Sequence, residues 1–246
     1  MAGTIRVGVG GWRYEPWEAS FYPPKWPKKK QIDYMLSKMT AVEVNATFYG
    51  RQKPATYADW AKAAPDGFRF ALKGSRYVTN RRVLGEAGEG VMNFVDQGIV
   101  ELGDRLGPIN WQLAGTKTFD PDDIAAFLTL LPAAHRGVAL AHAIEPRHAS
   151  FDCDAFRALA KAHGVAVVRG EADDYPLIPG EDAGFSYARL QQCRAEEACG
   201  YADAELDRIA AETRARAAAG DAYVFFIAGA KERAPAAAQA LIARLG

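Results

Sequence analysis

Apolar positions fall along this chain in two alternating rhythms. Short runs of period two, whose successive side chains point to opposite faces, predict strands. Longer stretches with apolar residues three and four apart predict helices. Ile5–Gly10 opens the series as a strand, and Lys30–Lys38 follows as a helix with Ile32, Met35 and Leu36 on one face. The pattern continues with strand Ala41–Asn45, helix Ala55–Ala64 closed by Pro65, strand Phe68–Lys73, helix Gly90–Leu102 and strand Ile109–Gln112. Helix Asp120–Leu131 carries Pro121 in its first turn, where a missing N–H costs nothing. Strand Gly137–Glu145, helix Cys153–His163 and strand Val165–Arg169 come next. Gly170–Gly184 then breaks the alternation, because two prolines, three glycines and five acids predict a loop where a helix would stand. Strand Phe185–Leu190, helix Ala202–Ala219, strand Tyr223–Phe226 and helix Pro235–Leu245 complete the chain.

Eight strands, seven or eight helices and no linker predict an α/β protein with a single (β/α)₈ barrel over 1–246, without a regular helix between the sixth and seventh strands. A doubly wound sheet is the competing architecture. At 49% hydrophobic, 246 residues suffice for one large core. Lys+Arg and Asp+Glu are both 30, so a binding surface basic all over for nucleic acid is disfavoured, while a local basic site stays open. No apolar run approaches the roughly 20 residues that cross a bilayer. Met1–Arg6 leads into a strand without an apolar leader, and cytoplasmic location is the expectation. Cys153, Cys193 and Cys199 are odd in number, lack C-x-x-C spacing and read as reduced thiols. The four histidines show no metal spacing, and no metal site is predicted. Mg²⁺ held through water by Glu43 and Glu145 is the one cofactor left open. Gly8-Val9-Gly10-Gly11 is not a dinucleotide loop, because Arg13 stands where the third glycine belongs.

In a barrel the carboxyl ends of the strands meet at one mouth, where the chemistry sits. The second strand is the clearest case: Val42 and Val44 share one face, Glu43 and Asn45 the other. By the same logic Lys73, Gln112, Glu145, Arg147 and Arg189 arrive at that mouth from other strands. Glu43 and Glu145 are candidates for proton transfer. Lys73, Arg147 and Arg189 would hold an anion, and Asn45 would orient it. Trp12, Trp17 and Tyr49 belong to an aromatic set, with Tyr14, Phe21, Tyr22 and Phe48, that either stacks on a ligand or caps the barrel. The charged set either faces a ligand or forms buried pairs such as Glu43–Lys73 or Glu145–Arg189.

These residues resemble the domain of unknown function 72, or YecE-like, family. The pieces are Gly10-Gly11-Trp12…Trp17…Phe21-Tyr22-Pro23, Val42-Glu43-Val44-Asn45-Ala46-Thr47-Phe48-Tyr49, Phe68-Arg69-Phe70-Ala71-Leu72-Lys73 and Glu145-Pro146-Arg147-His148, with Trp60, Pro65, Leu106-Gly107-Pro108 and Gln112-Leu113 between them. The resemblance implies a TIM barrel and brings no settled activity. It also implies departures. The family usually has Thr-His where this chain has Thr79-Asn80, Arg-x-His-Gly where it has Arg189-Leu190-Gln191-Gln192, and Phe-Asn-Asn where it has Phe226-Ile227-Ala228. Imidazoles suited to moving protons near neutral pH are thus absent.

Two functional expectations follow. The first is a binder of an anionic, phosphate-bearing small molecule or nucleotide fragment, acting as a hydrolase or phosphodiesterase if it is an enzyme. The second is a non-catalytic module, with a degenerate active site, for nucleic-acid ends or a protein partner. Glycoside hydrolysis by Glu43 and Glu145 fits poorly, because the second and fifth strands lie across the lumen from each other.

Overall fold

The computed structural model describes residues 2–180 and 183–246. Its strands are β1 (Ile5–Gly10), β2 (Ala41–Val44), β3 (Arg69–Lys73), β4 (Leu106–Gln112), β5 (Ala134–His135), β6 (Val138–Ala139), β7 (His142–Glu145), β8 (Ala166–Val167), β9 (Arg169–Glu171), β10 (Phe185–Leu190) and β11 (Asp221–Phe226). Nine of them form one parallel sheet in the order β8-β7-β4-β3-β2-β1-β11-β10-β9. β8 and β9 are one stretch of chain interrupted at Val168. The first pairs with β7, the second with β10, and the Val168 N–H donates to the Ile144 carbonyl at 2.8 Å. The sheet therefore closes on itself as a barrel with eight staves, which excludes the doubly wound alternative.

The helices are α1 (Trp17–Ser20), α2 (Gln31–Leu36), α3 (Ala46–Tyr49), α4 (Pro54–Ala63), α5 (Arg76–Thr79), α6 (Gly88–Val95), α7 (Pro121–Thr129), α8 (Asp154–Ala162), α9 (Asp203–Ala217) and α10 (Ala234–Leu245). The starts are written in the sequence. Asp120 caps α7 by accepting from the N–H groups of Asp122 and Asp123, with Pro121 in the first turn. Glu205 reaches back to the Ala202 N–H at 2.8 Å to open α9. Among the described residues of 170–184 no helix forms, as the composition predicts.

Three expectations change. The helix predicted over Gly90–Leu102 is broken: α6 ends at Val95, and a 3₁₀ stretch resumes at Ile99. Gly98 between them has φ +107°, a conformation open to glycine that no helix can contain. The strand predicted from Gly137 begins only at His142, and the chain before it folds into the separate β5–β6 hairpin. Asn45 lies past the end of β2, as the cap of α3, so the polar end of that strand is already the first residue of a turn.

Two cores result. Outside the staves, apolar side chains pack against the helices. Inside, Ala41, Ala71, Ala143 and Ala166 from β2, β3, β7 and β8 face Phe185, Tyr187, Tyr223 and Phe225 from β10 and β11. Small residues on one side give the aromatic rings of the other side room to fill the lumen. Above this plug the inward positions turn polar, and α1, α3 and α5 stand as single turns in the first three loops at the carboxyl ends.

Candidate functional site

Period two and the strand register carry Glu43, Lys73, Asn110, Glu145 and Arg189 to the polar layer above the plug. Arg189 spans it. Its Nε and Nη2 donate to the two oxygens of Glu43 at 2.9 and 3.0 Å, and its Nη1 donates to both oxygens of Glu145 at 2.9 and 2.8 Å. Both carboxylates are 0% exposed. Glu43 also accepts from the Tyr187 hydroxyl at 2.7 Å. Glu145 accepts from Asn110 at 3.0 Å, from the Tyr175 hydroxyl at 3.1 Å and from Arg147 at 2.8 and 3.0 Å. Gln112 accepts from both Arg147 and Arg189, at 2.9 and 3.1 Å.

The charge states follow from this arrangement. Burial pushes the Glu145 carboxyl up, but the Arg189 and Arg147 guanidiniums outweigh it and hold the group at about 2. Burial opposes charge on Arg189 as well, and Glu145 and Glu43 overcome it, so its guanidinium stays charged. The cation between the two carboxylates is thus a guanidinium, which takes the place that Mg²⁺ would need. Among the described residues no group of three His, Cys, Asp or Glu side chains could hold a metal ion.

Above this layer opens a pocket of about 840 Å³, the size of an ordinary small-molecule site. Its lining includes five cationic side chains, Arg13, Lys73, Arg147, Arg189 and Lys231, against two acidic ones, Asp33 and Asp59. Arg147 and Arg189 have the carboxylates described above. For Arg13, Lys73 and Lys231, no carboxylate among the described residues lies within ion-pair distance. Lys73 is 8% exposed, and its ammonium sits 4.3 Å from the centre of the Phe48 ring. Lys231 lies 4.8 Å from the Tyr14 ring. Burial lowers the pKa of both lysines; Lys73 comes down to about 8, with Arg189 and Arg147 adding to burial against the pull of Glu43 and Glu145.

Of the residues singled out in the sequence, Trp12, Asn45, Tyr49, Lys73, Arg147 and Arg189 line this pocket. Asn45 lies against Gly10, where an added Cβ would come within 2.8 Å of its amide nitrogen, so a larger residue there would push the amide aside. Glu43 and Glu145 lie under the floor, bonded to the residues that form it. Trp17 is not in the lining. Its ring is buried against Tyr14 and Phe21, and its indole N–H donates to the Lys231 carbonyl at 2.8 Å. Two residues at the site escape a sequence reading, Lys231 and Tyr175. Tyr175 stacks under Arg147, 4.3 Å from the guanidinium, and accepts from the Gln191 amide. Its position in the segment that replaces a helix gives no periodic signal. Lys231 stands in a Lys-Glu-Arg turn that resembles any solvated surface. Of the positions where the resemblance implies departures, Gln191 and Ile227 line the pocket, and Asn80 does not.

A family model described as "Protein of unknown function DUF72" matches residues 6–246. Among solved structures, the chain is similar to a DUF72 family protein from Thermotoga maritima, with 22% identity, a TM-score of 0.79 and 97% of each chain covered. It is also similar to a DUF72 family protein from Enterococcus faecalis, with 18% identity and a TM-score of 0.77, covering 98% of this chain and 95% of that one. At such identities the likeness speaks for the fold. The UPF0759 protein YunF of Bacillus subtilis (strain 168) is 31% identical over 78 residues, a segment that makes up 32% of this chain and 27% of YunF. Among the described residues no helix is long and apolar enough to cross a membrane.

Proposed function

The chain belongs to the DUF72 family, and on that premise we propose that the mouth of its barrel binds an anionic, phosphate-bearing small molecule or nucleotide fragment. One observation carries this reading: three of the five cations lining the pocket have no carboxylate among the described residues within ion-pair distance, and one of the three, Lys73, is 8% exposed. A desolvated charge without a counter-ion costs several kcal/mol, and a ligand anion supplies the missing partner. Arg147 presents a guanidinium edge to the same space, Arg189 lies at its floor, and Trp12, Trp60 and Tyr49 offer an aromatic wall.

Glu43 and Glu145 act in this reading as the support that fixes Arg189 and Arg147. Hydrolysis or phosphodiester cleavage with either as the proton-transfer group has little room, since both are beneath the floor with their oxygens engaged and Glu145 is held at about 2. The geometry supports binding over catalysis. Inorganic phosphate and adenosine monophosphate should raise the melting temperature of the full chain, and Lys73→Ala and Arg147→Ala should each abolish the rise. A wild type indifferent to both anions, or variants that keep the full rise, would remove the proposal.

One surface favours a second reading, a module for nucleic-acid ends. Tyr49 and Tyr77 are 62% and 65% exposed beside the mouth, with the Arg76 guanidinium 5.9 and 5.4 Å from their rings. Exposed rings with a nearby cation suit stacked bases. Filter binding of a single-stranded oligonucleotide across a salt series separates the two readings, since backbone contacts must weaken steeply as salt rises.

A further inference from the structure

We infer that Lys73 is a nucleophilic amine that forms an imine with a phosphate- or carboxylate-bearing aldehyde or ketone. This deepens the anion-binding reading and rests on it for the orientation of the substrate.

The argument starts from how differently the pocket's cations are built in. Arg147 and Arg189 are locked to carboxylates and remain charged, as an anion-holding group should. Lys73 is nearly sealed from water and has no carboxylate among the described residues within ion-pair distance. Burial and the neighbouring guanidiniums oppose an ammonium more than the Phe48 ring face and the more distant Glu43 and Glu145 support it, which favours the neutral amine, the form with a lone pair to give. The same burial brings its pKa to about 8, so its free-amine fraction near pH 7.5 is on the order of a hundredfold above that of an ordinary lysine.

Its placement is also rigid. The Lys73 carbonyl accepts from the Thr47 hydroxyl at 2.7 Å, and the next N–H, of Gly74, donates to the Asn110 carbonyl at 2.8 Å. Lys231 shares the lowered pKa but stands on the turn after β11, half-buried, and is the internal comparison. A carbonyl compound whose anionic group rests on Arg147 would bring its carbon to an amine fixed at the end of β3, two staves from β7.

The step balances without a cofactor. The amine lone pair forms a bond to the carbonyl carbon while the C=O π pair moves to oxygen, which takes up a proton from pocket water. The nitrogen loses a proton to water, the hydroxyl takes up a second proton from water, and the carbinolamine expels it as water while the nitrogen lone pair closes the C=N bond, leaving a protonated imine. Borohydride then delivers hydride to that carbon and fixes a secondary amine that can be weighed.

The test uses the full chain with pyridoxal 5′-phosphate at pH 7.5, borohydride quenching at intervals, and peptide mass mapping. Lys73 should acquire label at least about tenfold faster than the exposed Lys28, Lys29 and Lys30. Inorganic phosphate should slow that labelling, and unphosphorylated pyridoxal should label Lys73 more slowly than the phosphate ester does. Label on Lys73 no faster than on the exposed lysines, or on Lys231 in its place, overturns the proposal. Rapid labelling indifferent to phosphate on reagent or in buffer would remove the anion reading and keep the amine chemistry. A phosphate-induced melting shift with slow labelling of Lys73 would do the reverse.

Discussion

Each end of the lumen buries a cation, and the two ends treat it differently. At the amino-terminal end Arg6 is 5% exposed, donates to Asp221 at 2.7 Å and to the Gly67 carbonyl at 3.3 Å, and lies 5.6 Å from the Tyr223 ring. At the carboxyl end Lys73 is 8% exposed and has a ring at 4.3 Å but no carboxylate among the described residues within ion-pair distance. A lumen that needed only filling would satisfy both, because leaving either charge alone is costly. The base is closed by its own residues, while the mouth holds a buried charge with no ion-pair partner among the described residues, which is the contrast the proposed anion binding rests on. Between them lies the Glu43–Arg189–Glu145 layer, which satisfies itself and thereby holds the floor of the pocket still.

The strongest way to break this contrast is to remove the cation of the middle layer. Arg189→Met leaves two carboxylates buried without their shared counter-ion, and a loss on the order of 3–5 kcal/mol is expected in urea denaturation at pH 7. Arg6→Met should lose less, about 1–2 kcal/mol, since the Asp221 side chain is 38% exposed and water can take over. Equal losses at the two positions would erase the distinction between a sealed layer and a closed base.

Acid provides the next largest effect. The folded pKa of Glu145 is held at about 2, below the roughly 4.3 of an unfolded glutamate. The unfolded chain therefore takes up the proton first. The contribution is fully present above the unfolded value and is lost as pH falls from about 5 toward 2, with a size on the order of 3 kcal/mol. Glu145→Gln should flatten the curve of stability against pH across that window. A wild-type slope that survives the substitution would mean that the two arginines do not hold this charge.

How much of this was legible differs by level. The alternation of Val42-Glu43-Val44 assigns Glu43 to the lumen directly, and the other strand tips follow by the same rule. What period two does not contain is which tips meet across the barrel. The chain offered Glu43–Lys73 as readily as Glu145–Arg189; Arg189 pairs with both carboxylates, reaching across a lumen whose β2, β3 and β7 faces are alanine, while Lys73, on the strand beside Glu43, makes no ion pair among the described residues. Trp17 looked like its aromatic neighbours, but the turn of α1 folds it inward onto the Lys231 carbonyl. The helix over Gly90–Leu102 had unbroken apolar spacing, and the φ of one glycine ended it. Tyr175 and Lys231 owe their roles to contacts from distant parts of the chain, which no local pattern encodes.

The smallest effect on stability is the most telling about the mouth. Lys73→Met keeps an unbranched side chain of similar length and removes a desolvated ammonium without orphaning any described carboxylate, so the change at neutral pH should stay within about 1 kcal/mol. Its sign depends on pH. The folded pKa of about 8 lies below the roughly 10.4 of an unfolded lysine, so between the two the unfolded chain binds more protons. Wild-type stability must therefore rise on Lys73's account as pH increases from about 8 to 10.4, and the methionine variant must lack that rise. Below pH 8 the variant should match or slightly exceed the wild type, while losing its response to phosphate. A loss at neutral pH comparable to that of Arg189→Met would show that Lys73 is bound into the fold as firmly as Arg6. The two ends of the lumen would then be alike, and nothing at the mouth would await a ligand.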